Sequence, residues 1–277
     1  MKKGNIRLGA ISIVLLVTAC GGGGAPGGPP PGGAPPGGPP TINQSPGGIW
    51  GGLTDSGENA TFWVAEDGRL WSVTPVSVTT GPTFGAGALD VTNGDAVSGA
   101  YEAKGVLPDP VSPFPGVLTC QMAGTVTERS VMSVDLGCAD ASGPVWEESA
   151  TLFYQTDYDR DSSLSTIAGN YTLGFAALAA TNTLNIAGDG TVFGMYDNGP
   201  SCTVNGQVSL IDPAYNLYDI QWTFSSCVSP FPSFEGSQFS GIATMTSLGP
   251  PAGSFYLLMT GNVGGDFRSI SVIYEPT

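Results

Sequence analysis

From Gly47 onward, apolar and polar residues alternate with a period of two. In Leu217-Tyr218-Asp219-Ile220-Gln221-Trp222-Thr223-Phe224, the residues Tyr218, Ile220, Trp222 and Phe224 share one face, and Asp219, Gln221 and Thr223 take the other. This is the pattern of a strand with one buried side. Ser269-Ile270-Ser271-Val272-Ile273-Tyr274 repeats it, with Ile270, Val272 and Tyr274 inward. Asp or Asn before Gly punctuates the runs at Asp67-Gly68, Asn93-Gly94, Asp189-Gly190, Asn198-Gly199 and Asn205-Gly206, and each pair is expected to turn a hairpin. No amphipathic helix of twelve or more residues stands out. The short candidates are 162–168, with Ser162 as N-cap, and 175–180.

The chain also matches itself. Gly48-Ile49-Trp50 aligns with Gly169-Asn170-Tyr171, and the run from Thr61 to Gly68 aligns with that from Thr183 to Gly190, at offsets of 121 and 122 residues. The run Cys120-Gln121-Met122-Ala123-Gly124-Thr125-Val126 aligns with Cys202-Thr203-Val204-Asn205-Gly206-Gln207-Val208 at an offset of 82. The smaller offset is ascribed to an extra hairpin at 83–104 and a Pro-rich loop in the first copy. The expected fold is therefore all-β: two tandem antiparallel meander barrels or sandwiches, at 48–162 and 163–277. An isolated meander must hide its edges by closing or pairing. One fused larger barrel is the alternative.

Ahead of the repeats lies a different kind of sequence. Lys2, Lys3 and Arg7 precede an apolar core from Leu8 to Val17, so residues 1–19 read as a signal peptide and are too short for a transmembrane span. The segment ends in Leu16-Val17-Thr18-Ala19-Cys20, which resembles a bacterial lipobox and marks Cys20 as the lipid attachment site. Gly21, where an inner-membrane retention signal would have Asp, points by the same resemblance to the outer membrane, with the leaflet face open. Residues 20–47 then form a Gly/Pro-rich tether with almost nothing to bury, expected to be disordered and reaching about 25–30 Å on average.

Charge and composition narrow the function. The chain has 277 residues, no His and a formal charge of −15. Removing the three basic residues of the leader lowers the 8 Lys+Arg to 5 against 23 Asp+Glu and takes the charge to −18. Without imidazole, every His-based triad, general base and metal site is excluded. The acidity makes nucleic acid and bare anionic lipid poor partners. Setting Cys20 aside, four cysteines remain, two in each copy, and in an oxidising compartment they are expected to pair as Cys120–Cys138 and Cys202–Cys227.

The remaining constellations are weak. Asp157, Asp159 and Asp161 alternate as in a calcium loop, but position six is Ser162, position twelve is Ala168, and Arg160 intervenes. A solvated linker is preferred, with no metal and no cofactor. Thr54-Asp55-Ser56-Gly57 has the local letters of an aspartic protease but occurs once, and is read as a turn with Asp55 capping its own backbone. Glu147-Glu148 offers the two carboxylates of a glycosidase, as almost any acidic protein does. Trp63 and Trp71 flank the Asp67-Gly68 turn and form either a binding platform or barrel filling. Val-Ser-Pro-Phe-Pro occurs twice, presenting Phe114 and Phe231 as a possible contact surface.

Taken together, the lipobox, the Gly/Pro stalk, the Gly-x-aromatic opening of each copy and Tyr158-Asp159-Arg160-Asp161-Ser162-Ser163-Leu164 resemble the uncharacterised two-repeat envelope lipoproteins of Gram-negative bacteria. The resemblance implies a lipid-anchored outer-membrane protein and lends no catalytic residues. A looser likeness, in architecture only, is to two-barrel surface lipoproteins that bind host or envelope proteins. The first expectation is a non-enzymatic module that binds a protein or glycan of the envelope. The alternatives are a lipocalin- or avidin-like carrier of a small apolar ligand and a carboxylate-based hydrolase.

Overall fold

Two closed eight-stranded antiparallel barrels follow one another along the chain. The structure is a computed structural model that describes residues 42–75, 82–105, 117–173, 182–197, 201–228, 234–246 and 253–277. The first barrel runs β1 (Gly48–Thr54), β2 (Asn59–Val64), β3 (Arg69–Pro75), β4 (Pro82–Thr92), β5 (Ala96–Gly105), β6 (Leu118–Thr127), β7 (Val131–Asp140) and β8 (Gly143–Tyr154). The second runs β9 (Gly169–Leu173), β10 (Thr183–Ile186), β11 (Thr191–Asp197), β12 (Ser201–Leu210), β13 (Tyr218–Val228), β14 (Gln238–Thr246), β15 (Ser254–Val263) and β16 (Asp266–Pro276). Each strand pairs with the next, and β1–β8 and β9–β16 close the two sheets. Closure leaves no free edge, which is how an all-antiparallel meander avoids templating aggregation. The single fused barrel is thereby replaced by two.

The turn chemistry accounts for most of the hairpins. Gly68 and Gly190 have φ of +83° and +84°, and Asn93 and Gly94 are both positive at 53° and 96°, so three of the Asx-Gly pairs turn as expected. Asn205-Gly206 does not. It lies within β12, where Gly206 faces Trp222 across the ladder and an added Cβ would fall 2.1 Å from the Gln221 carbonyl oxygen. This glycine serves close backbone approach rather than reversal. Asn198-Gly199 and the helix candidate 175–180 fall outside the described residues. The other helix candidate is one turn, α1 (Leu164–Ile167), capped by Ser163 rather than Ser162 because the Ser163 side chain accepts from the Thr166 amide.

Inward residues fill both barrels. Trp50, Phe62, Leu70, Met122 and Leu152 belong to the first interior, and Tyr171, Tyr218, Trp222, Phe224, Phe255 and Tyr274 to the second. The expected faces of β13 and β16 are borne out: Tyr218, Ile220, Trp222, Phe224, Ile270, Val272 and Tyr274 are all buried. Apolar inside and polar outside is the reverse of a membrane-spanning barrel, whose outer band is apolar.

Strand order corrects the internal alignment. The Gly68 carbonyl accepts from the Leu89 amide on β4, and the Gly190 carbonyl accepts from the Val208 amide on β12. Gly87 opposes Tyr101 just as Gly206 opposes Trp222. So β4 corresponds to β12 at an offset of 119 (87 to 206, 89 to 208), and the hairpin at 83–104 is no insertion. The cysteine runs that match at 82 are local likenesses on non-equivalent strands.

Candidate binding surfaces

Both expected disulfides are present, Cys120–Cys138 and Cys202–Cys227. The first joins directly opposed residues of β6 and β7, the sixth and seventh strands of their barrel. The second joins β12 to β13, the fourth and fifth strands of theirs, at a register shift beside Ser226, whose φ is 53°. The extra residue of that bulge re-aims Cys227 toward Cys202. Cys20, Phe114 and Phe231 lie outside the described residues.

Trp63 and Trp71 are neither an exposed platform nor barrel filling. Their alternation with Phe62 and Leu70 turns them away from the first interior, yet they are only 2% and 8% exposed. They sit with Ile49 and Phe84 in an apolar seam against Leu217, Ile242 and Leu258 of the second barrel. Trp63 meets Tyr256 edge-on, with ring centroids 4.8 Å apart. At the rim, Arg69 bonds Asp219 of β13 at 2.5 Å and lies over the Trp71 ring. Period-two reading assigns a residue to a face of its sheet, but not to what covers that face.

The Asp157–Asp161 stretch joins the barrels, and its Asp159 carboxylate is engaged by protein groups. Asp159 accepts from the Arg129 guanidinium and from the Tyr154 hydroxyl, the latter at 2.7 Å. Arg129 also donates to the Tyr215 hydroxyl, and Tyr215 stacks on Tyr158. Arginine thus occupies the carboxylate that a calcium ion would need. Among the described residues no group of three or more acidic or cysteine side chains converges as a metal site.

Glu147 and Glu148 take opposite faces of β8. Glu147 and Glu148 oppose Gly137 and Leu136, so Glu148 turns inward beside buried Leu136, and Glu147 faces solvent. The Thr54–Gly57 segment is a turn, as expected, but its capping atom is the Thr54 hydroxyl, which accepts from the Glu58 amide, rather than Asp55.

Sequence reasoning missed a concavity on the outer wall of the second barrel. A groove of about 950 Å³ follows β12 to β15. The ladder sets Thr191, Gln207, Gln221, Ser240, Thr260 and Ser269 in one row across six strands. In the neighbouring row Phe193 opposes Asn205, Asn205 opposes Thr223, and Thr223 opposes Gln238, while Asn262 opposes Phe267. Beneath them the inward positions include Gly206, Gly241 and Gly261, where the neighbouring backbones approach too closely for a Cβ, so the wall draws in and the outer surface is dished. Alternation was the available signal: Asn205, Gln207, Gln221 and Thr223 are the polar half of the very pattern that identified the core. A second hollow, of about 820 Å³ on the first barrel, is acidic, with Asp55, Asp135, Glu147 and Glu148 in its lining.

In comparison with known proteins, no family model matches the chain and no curated protein matches it in sequence.

Buried phenols set the alkaline limit of the fold. Burial pushes Tyr101 up to about 12, and burial likewise raises Tyr158, where Glu66 adds to the effect, and Tyr218 and Tyr274. A folded pKa above the unfolded value of about 10 contributes stability that is complete below pH 10 and lost as pH climbs through the folded value. Urea midpoints are expected to be flat from pH 8 to about 10 and to fall steeply from there to 12. Tyrosinate absorbance should rise together with unfolding. A gradual rise at constant stability would contradict this placement of the phenols.

Proposed function

We propose that the protein is a lipid-anchored, non-enzymatic envelope module: Cys20 carries the acyl chains at the outer membrane, residues 20–47 act as a stalk, and the twin barrels bind a protein or glycan. The observation that supports this reading over a small-ligand carrier is the packed interior of both barrels, against which a groove of about 950 Å³ lies on an outer wall. Among the described residues, Trp, Tyr and Phe side chains fill the interiors where a carrier would need a drug-sized cavity. A binding face built on strands is also held more rigidly than one built on loops.

Proximity labelling from the intact protein in its native cell, with Cys20→Ser run in parallel, tests the proposal. The expected result is a restricted set of envelope proteins or labelled glycan, with Cys20→Ser lost from the detergent phase. Uncut, fully reduced protein among cytosolic neighbours would overturn it.

A further inference from the structure

Resting on that reading, we infer that the outer groove across β12–β15 is a binding site for an uncharged linear glycan. The side chains of Gln221, Thr223, Gln238, Ser240, Thr260 and Asn262 line it, and none of the six makes a hydrogen bond within the protein. Amides and hydroxyls each offer a donor and an acceptor, which is the complement of sugar hydroxyls. The groove's lining contains no Lys or Arg, and the one carboxylate at its rim, Glu235, accepts from the Cys227 amide. A polyanion therefore finds no countercharge here, and an apolar ligand finds too little surface. A protein partner usually needs a buried aromatic or Arg anchor pocket at the centre of its contact. Here Trp222 and Phe239 are committed to the barrel interior, and the remaining aromatic of the lining, Phe267, stands half-buried at one end.

That placement suits a chain laid across the strands. Neighbouring strands are about 4.8 Å apart, so the Gln221-Ser240-Thr260 row presents one uncommitted hydrogen-bonding group per strand beside Gln207, whose amide already donates to the Asp189 carbonyl, and a glycan presents its hydroxyls at a similar regular interval. The Phe267 ring at one end of the lining supplies apolar contact for the C–H side of a sugar ring, as aromatic rings do generally. Trp222 lies directly under the groove and faces the interior, so its fluorescence reports on the wall above it.

The test titrates the full-length protein with chitohexaose and with cellohexaose, followed by calorimetry and tryptophan fluorescence. Saturable binding of at least one hexaose is expected, insensitive to salt because no ion pair forms. Gln221→Ala should weaken it about three- to tenfold and Phe267→Ala about tenfold, both with unchanged unfolding midpoints. Gln121→Ala, on the first barrel, should leave it intact. Absence of binding to either hexaose, or binding that survives both groove substitutions, would overturn the inference. The two levels separate cleanly. Envelope labelling that persists while both hexaoses fail removes the glycan site alone, and loss of envelope labelling as well removes the binding module with it.

Discussion

Trp63→Ala is expected to destabilise the protein by about 3–5 kcal/mol, the cost of truncating a buried tryptophan. The indole is 2% exposed although it lies on the outer face of β2, and its partners are the seam residues and Tyr256 of the other barrel. Removing it opens a void between barrels rather than inside one. Chemical denaturation should therefore show a single transition in the parent and two in the variant, as each barrel unfolds on its own. Trp50→Ala, which hollows the first interior, should cost a similar amount while keeping the barrels coupled. Phe153→Ala is the surface control: the residue is 56% exposed, and a change within about 0.5 kcal/mol is expected. A Trp63→Ala loss as small as the control's would mean that the seam does not exist in solution.

The paired substitution Cys120→Ala/Cys138→Ala is expected to cost more than Cys202→Ala/Cys227→Ala. Loop length alone favours the opposite order. The sequence separations are 18 and 25 residues, and in the chain-entropy model the longer loop is worth only about 0.3 kcal/mol more, on a base of about 3 kcal/mol. Burial decides the order instead. Cys120 and Cys138 are 0% and 2% exposed inside the first barrel, so their removal also leaves a cavity, at about 24 cal/mol per Å³. In the second pair Cys202 is also buried, at 1% exposed, but Cys227 is half-buried on the bulge, where solvent and side chains can fill that half of the space. Urea midpoints of the two variants, measured beside the parent, check the order. Equal losses would show that only the unfolded chain is being constrained.

Much of the fold was legible because a strand with one buried side writes its own pattern. Tyr218, Ile220, Trp222 and Phe224 alternate with polar residues and are inward, and Ile270, Val272 and Tyr274 behave alike. The Asp67-Gly68 and Asp189-Gly190 turns followed from the positive φ that glycine accepts. Asn205-Gly206 carried the same two letters and meant something else. A glycine placed for close backbone approach is indistinguishable, in sequence, from one placed for reversal.

The binding surfaces were far less legible. Trp63 and Trp71 showed which side of the sheet they occupy, yet not that a second barrel covers that side. Gln221 and Thr223 read as ordinary solvent-facing positions. Their meaning comes from Ser240 and Thr260, brought alongside by two further hairpins.

By itself, then, the amino-acid sequence determined the all-β class, the presence of two units and the partners of the four cysteines, since these depend on local alternation, turn residues and the repeat of the cysteines in each copy. Only the tertiary structure decided where each sheet closes, which strands the disulfides staple, what buries Trp63 and Trp71, and that amides from four strands line one groove. Those are facts about register and about contacts between residues distant in sequence. Period-two patterning is the same for a strand in any sheet, so it carries no information about them.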